Sequence, residues 1–223
     1  MLPHSRRVWR DNGLSIVLVV SFLAMWLGQS LAGWRVYNGD RADDGRAPLS
    51  FGAYLESSHF GEATFENWES EFLQMAAYVL LTAVLYQRGS SESKRPGAIE
   101  LVDADPRESG RRDEAPWPVR RGGWILRLYE HSLSLAFTLI FVASLSLHAT
   151  TGARLFSEHE LAQGRPAVGA LAYITTANFW FESFQNWQSE FLSLLSMVVL
   201  SIVLRQRGSP ESKPVEAPTW ETG

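Results

Sequence analysis

Phe65-Glu66-Asn67-Trp68-Glu69-Ser70-Glu71-Phe72-Leu73 returns 119 residues later as Phe184-Gln185-Asn186-Trp187-Gln188-Ser189-Glu190-Phe191-Leu192. Each version sets a carboxylate, a carboxamide and an indole at the start of an apolar run. Sliding the chain on itself by the same 119 lays residues 11–96 on 130–215 without a gap, with identities such as Leu14/Leu133, Phe22/Phe141, Gly33/Gly152, Arg35/Arg154 and Tyr54/Tyr173. The match closes on Gln87-Arg88-Gly89-Ser90-Ser91-Glu92-Ser93-Lys94 and Gln206-Arg207-Gly208-Ser209-Pro210-Glu211-Ser212-Lys213. An ungapped self-match of this extent marks a duplication, and internal repeats take precedence over other signals of organisation.

Within each repeat the apolar residues are segregated rather than abundant. The mean hydropathy of −0.08 suits a soluble chain, yet Leu14–Leu31 carries no charge and Leu128–Thr151 carries only Glu130, His131 and His148. Crossing about 30 Å of hydrocarbon takes roughly 18–20 such residues. The second apolar run of each repeat is shorter. Phe72–Tyr86 and Phe191–Leu204 reach only about 22 Å at about 1.5 Å per residue, so a full crossing draws in residues back to Asn67 and Asn186.

The resulting expectation is an all-α polytopic membrane protein with four transmembrane helices, at about 12–33, 64–87, 124–151 and 183–206, built as two tandem parallel helical-hairpin repeats. The first hairpin covers 1–89 and the second 122–208. A linker, 90–121, and a tail, 209–223, are rich in Pro, Gly and mixed charge and are expected to be mobile. Short interfacial helices are expected near Pro48 and Pro166, with the surrounding aromatics forming a belt at the membrane edge. Arg6, Arg7 and Arg10 before an apolar run imitate a secretory signal, but the length of that run and its recurrence downstream mark it as a span.

Of twenty basic residues, fifteen fall before the first span, in the linker region Arg88–Arg127, or after the last span, and five (Arg35, Arg41, Arg46, Arg154, Arg165) fall between paired spans. The positive-inside rule then puts both termini and the linker in the cytoplasm. With no cysteine, disulfides and thiolate metal sites are excluded, and a net charge of −4 gives no footprint for nucleic acid. His131 and His148 lack metal-ligand spacing, and no phosphate loop, nucleophile elbow or nucleotide motif is present. Hence no catalytic, cofactor or metal residues are assigned, and no enzyme is expected.

The residues left with a functional question form a candidate intramembrane polar cluster: Asn67, Glu71, Asn186, Glu190, Arg35 and Arg154. Asn67, Glu71, Gln74 and Tyr78 share one helix face, as do Asn186, Glu190, Ser193 and Met197. Near helix N-termini, Glu71 and Glu190 are favoured by the dipole, and Arg35 and Arg154 are their expected salt-bridge partners. The alternative brings Glu71 and Glu190 together at a pseudo-two-fold axis to handle protons or small ions.

At the paired Phe-Glu-Asn-Trp-Glu-Ser-Glu-Phe-Leu and Gln-Arg-Gly-Ser-x-Glu-Ser-Lys signatures the chain resembles a family of bacterial integral membrane proteins of unknown function. The resemblance covers nearly the whole chain and implies an inner (plasma) membrane location and four helices, with nothing catalytic. The function expected is a structural or interaction role in the envelope, with the lipid bilayer and either a second copy or another membrane protein as partners. A small oligomeric channel or transporter using Glu71 and Glu190 is the alternative.

Overall fold

The computed structural model describes residues 4–108 and 114–223. Residues 1–3 of the first hairpin, and residues 109–113 of the linker with Arg111 and Arg112, lie outside them. The described residues form helices and turns with no strand: α1 (His4–Asp43), α2 (Phe51–Leu55), α3 (Ser58–Val84), α4 (Trp117–Arg121), α5 (Gly123–Glu130), α6 (Ser132–Ala162), α7 (Ala170–Tyr173) and α8 (Ala177–Val203), with one 3-10 turn at Leu101–Asp103. Three of these, Arg7–Asp43 within α1, α6 and α8, are long and apolar enough to cross a membrane. Helix α3 matches α8 at 27 residues, but Glu62, Glu66, Glu69 and Glu71 make its first half polar.

Both α3 and α8 start ahead of the expected 64 and 183. Ser57 accepts a hydrogen bond from the Phe60 N–H (3.2 Å), and Thr176 accepts one from the Phe179 N–H (3.3 Å). Side chains of this kind satisfy N–H groups that the first helical turn leaves free, so each helix takes in an extra turn and a half. Both helices also end early, at extended Leu85 and Leu204. The Gln87 N–H donates to Ser93 Oγ and the Gln206 N–H to Ser212 Oγ, each at 2.8 Å. A serine of the signature thereby takes the backbone donor that would continue the helix. Gly89 and Gly208 lie beyond, in the turn, with φ of 89° and 86°.

The long helices overrun expectation at the opposite end. Trp34 Nε1 and Asn38 Nδ2 both donate to the Leu49 carbonyl, at 2.8 and 3.0 Å. At the positions 119 residues on, Ser157 Oγ donates to the Val168 carbonyl and accepts from the Val168 N–H. Two different residues thus fix the same loop against the same stretch of helix. The loop then delivers α2 or α7, whose Tyr54 and Tyr173 are each 1% exposed. A Cβ at Gly33 would meet Tyr54 Oη at 2.2 Å, and one at Gly152 would meet Tyr173 Cε1 at 2.6 Å. These two glycines are the docking floors for the tyrosines, so part of the expected aromatic belt is core.

Helix α3 is the centre of the assembly. It packs most extensively against α6, then against α8, while α1 meets it through rings, with Trp26 6.0 Å and Phe22 6.2 Å from Trp68, and through Gln29 Nε2, which donates to the Ala63 carbonyl at 3.2 Å. The close approach of α3 to α6 needs Gly61, where a Cβ would fall 2.6 Å from Thr151 Cγ2. The small apolar core, Ala149, Ala153, Tyr173 and Phe179, lies beside this contact.

The segments expected to be mobile are pinned in part. Gly89 N–H donates to Thr222 Oγ1 at 2.9 Å, and Gly223 N–H donates to the Ser90 carbonyl at 3.0 Å. Lys213 Nζ donates to the carbonyls of Pro218, Thr219 and Glu221. The tail is therefore folded back under α8. In the linker, Lys94 Nζ pairs with Asp103 at 2.6 Å.

Candidate functional site: a buried acid–histidine cluster

On α3, Glu62, Glu66 and Glu69 stand at i, i+4 and i+7, which puts them on one face. The early start of the helix brings the first of these into the helical register. Glu69 is 0% exposed, and so are His148 of α6 and Ser183 of α8. His148 Nδ1 lies 2.8 Å from Glu69 Oε2. The other carboxylate oxygen, Oε1, accepts from Ser183 Oγ at 2.8 Å and from Trp187 Nε1 at 3.1 Å. A carboxylate only accepts, so the Nδ1 proton of His148 points to Glu69.

The far side of the imidazole is less well served. Its Nε2 faces Glu182 Oε2 at 3.4 Å and makes no hydrogen bond. Tyr173 donates its hydroxyl to that same Glu182 oxygen in a short contact. Phe179 stacks on the His148 ring at 5.0 Å and 24°, excluding water from one face. Next to this, Asn186 Nδ2 donates to Glu66 Oε1 at 2.5 Å. One turn further along, Gln74 Nε2 donates to the Glu190 carbonyl and to Ser193 Oγ, at 2.8 and 2.9 Å, joining α3 to α8. Tyr173, Glu182, His148 and Glu69 thus line up as proton donors and acceptors from the α7 loop to the buried centre, hydrogen-bonded except across the 3.4 Å between Glu182 and His148 Nε2.

Glu62, Glu66, Glu69 and Glu182 stand around a single imidazole. With every group ionised the cluster would carry three uncompensated negative charges, on a set in which Glu69 is fully buried and Glu62, Glu66 and Glu182 are half-buried, and buried charge is tolerated only when paired and hydrogen-bonded. The set is chemically suited to hold and exchange protons. Among the described residues no three His, Asp or Glu side chains are placed to hold one metal ion.

The sequence-predicted residues are dispersed. Of the six, Asn186 alone joins the cluster. Asn67 is exposed and bonds back to the Ala63 carbonyl. Glu71 is exposed and Glu190 half-buried, on helices close enough for the charge of Glu71 to reach Glu190. Arg35 and Arg154 are exposed, and among the described residues neither forms an ion pair with a glutamate. The buried groups were signalled in the sequence by the repeat itself. Offset by 119, Glu69 matches Gln188 and His148 matches Gln29, so each repeat contributes one ionisable partner, the acid from the first and the base from the second, and has an amide at the other position. That paired exchange singles out partners, whereas the signature they interrupt draws the eye to what is shared.

The family described as "Domain of unknown function (DUF6766)" matches residues 5–223, and the chain belongs to it. No curated protein and no solved structure matches the chain.

Proposed function

We propose that this member of a family of unknown function is a multi-pass protein of the bacterial inner membrane that binds and passes protons through the Glu69–His148–Glu182 cluster. In this reading α1, α3, α6 and α8 are four spans of two parallel hairpins, with both termini and the linker in the cytoplasm. The observation that carries it is the surplus of four carboxylates over one fully buried histidine. A lock between helices needs one acid for one base, whereas an intramembrane surplus of ionisable groups is characteristic of ion and proton pathways. Glu71 and Glu190, the acids that the sequence favours, are exposed and half-buried, whereas Glu69 is fully enclosed and carries this reading.

The test is proton uptake into liposomes carrying the purified protein, driven by a potassium diffusion potential and read with an entrapped pH dye. Glu69→Gln with His148→Gln, which gives each position the amide that stands at its 119-residue counterpart, Gln188 and Gln29, should reduce the protein-dependent rate at least tenfold. Equal rates for native and variant protein would discard the proposal. A second reading, a structural envelope protein, draws on one observation: Glu69 ties together α3, α6 and α8 through His148, Ser183 and Trp187. Under it the doubly substituted protein loses folded yield, and native liposomes show no uptake.

A further inference from the structure

The signatures Gln87–Lys94 and Gln206–Lys213 take no part in the buried cluster, yet they fold alike to the level of single hydrogen bonds. The Glu92 N–H donates to Ser90 Oγ at 3.1 Å and the Glu211 N–H to Ser209 Oγ at 3.2 Å. The Ser93 hydroxyl donates to the Lys94 carbonyl, and the Ser212 hydroxyl to that of Lys213. Each turn holds a glutamate beneath the end of a long helix, and beside each helix end there is a groove. One groove, of about 380 Å³, is walled by Leu81 and Leu85 with Glu92 at its mouth. The other, of about 230 Å³, is walled by Leu200 and Leu204 with Glu211 at its mouth. These residues correspond one for one at the 119-residue offset.

Two grooves of different depth built from matching residues are a repeated feature, unlike the buried cluster, which occurs once. Their walls are apolar and face outward, with Leu85 and Leu204 each 59% exposed. Each signature also carries an exposed arginine four residues before its glutamate, Arg88 and Arg207, on the same turn but outside the groove lining, and Arg205 lines the smaller groove. An alkyl chain suits the walls, a carboxylate calls for a cation with N–H donors, and the arginine calls for an anion such as phosphate. One class of molecule at a membrane boundary combines all three.

We propose that each groove binds a zwitterionic phospholipid with a primary-amine headgroup, its ammonium on Glu92 or Glu211, its phosphate toward Arg88 or Arg207, and an acyl chain along the leucines. This rests on α3 and α8 being membrane spans and is independent of whether the buried cluster moves protons. Glu92 already accepts from Tyr78 Oη at 2.6 Å, so its carboxylate is held in place at the deeper groove. An anionic lipid lacks the ammonium and meets the glutamate with like charge. A choline headgroup has the charge but no N–H.

Native mass spectrometry of the full chain, titrated with phosphatidylethanolamine, phosphatidylcholine or phosphatidylglycerol, tests this. Phosphatidylethanolamine should be retained about tenfold more strongly than either of the others, to two molecules per chain, as expected for one charge-assisted hydrogen bond at each site. Glu211→Gln should remove the preference at one site, and Glu92→Gln with Glu211→Gln at both. Leu85→Trp and Leu204→Trp, at exposed positions that leave both glutamates intact, should block retention by filling the grooves. Equal retention of the three lipids, or a preference that survives the double glutamine substitution, overturns the proposal. Proton uptake by the same variants reports separately on the buried cluster, whose residues they leave in place.

Discussion

Replacing His148 by glutamine should destabilise the protein far more than replacing its partner Glu69, and replacing both should cost less than replacing His148 alone. The reasoning follows from what each change leaves unpaired. His148→Gln removes the group that can carry a positive charge opposite Glu69 Oε2 at 2.8 Å and leaves a fully buried carboxylate with neutral donors only. Removing one member of a buried pair costs about 3–5 kcal/mol. Glu69→Gln is milder. The carboxamide oxygen can still accept from Ser183 and Trp187, and its NH2 can donate to Nδ1 once the ring proton moves to Nε2, toward Glu182. The change replaces a charge-assisted bond with a neutral one, a loss of about 1–2 kcal/mol.

With both substitutions the charge is gone and two amides can bond each other, so a net cost of about 1–2 kcal/mol is expected. The single changes would sum to about 4–7 kcal/mol, leaving a coupling of about 2–6 kcal/mol between the two positions. The assay is equilibrium unfolding in mixed micelles, followed by far-ultraviolet circular dichroism, for the native protein, both single variants and the double. Additivity to within about 0.5 kcal/mol would refute the reasoning, because it would mean that Glu69 and His148 do not depend on each other for their burial.

Two other outcomes follow from the geometry. Gly61→Val should separate α3 from α6, since a Cβ there would lie 2.6 Å from Thr151 Cγ2; a loss of about 1–3 kcal/mol is expected from overpacking, against no loss for Gly28→Ala, where nothing lies within 4 Å, in the same unfolding assay. In the linker, hydrogen bonds from the Lys94 ammonium and then from the Glu100 N–H hold the Asp103 carboxyl below its ordinary value. A carboxyl depressed in the folded state stabilises its turn above the unfolded pKa, and that contribution disappears as pH falls through the lower folded value. Lys94→Met should therefore move the Asp103 titration, followed by NMR, back up toward the usual carboxylate range; an unchanged midpoint would contradict the contact.

Much of the architecture could be read from the repeat, because helix-forming apolar runs, the Gly33/Gly152 floors and the Ser93/Ser212 stops recur in register. Helix ends were less legible, since Ser57 and Thr176 act through single hydrogen bonds that leave no mark on hydropathy. The candidate site was least legible. Helical periodicity gives a face to Glu71 and Gln74 as readily as to Glu62, Glu66 and Glu69, and only knowledge of the facing helix decides which acids are covered. Here α6 covers the second set and leaves Glu71 exposed.

The duplication also explains why the cluster occurs once. At 119 residues' offset Gly61 becomes Trp180 and Glu62 becomes Phe181, which are 40% and 69% exposed. A tryptophan at the position where α3 meets α6 most closely keeps any helix from approaching α8 in the same way. The face of α8 that matches the acidic face of α3 is thus turned outward, where ionised glutamates would be costly in a membrane and Phe181, Gln185 and Gln188 stand instead. Burial and charge go together: Gly61 admits α6, α6 supplies His148, and with both in place Glu69 is fully enclosed. Placing glutamate at Gln188 alone should therefore give an exposed carboxylate with none of the pairing of Glu69, and a Gln188→Glu protein as stable as the native chain in the same unfolding assay would contradict the cost assigned to an acid on this outward face.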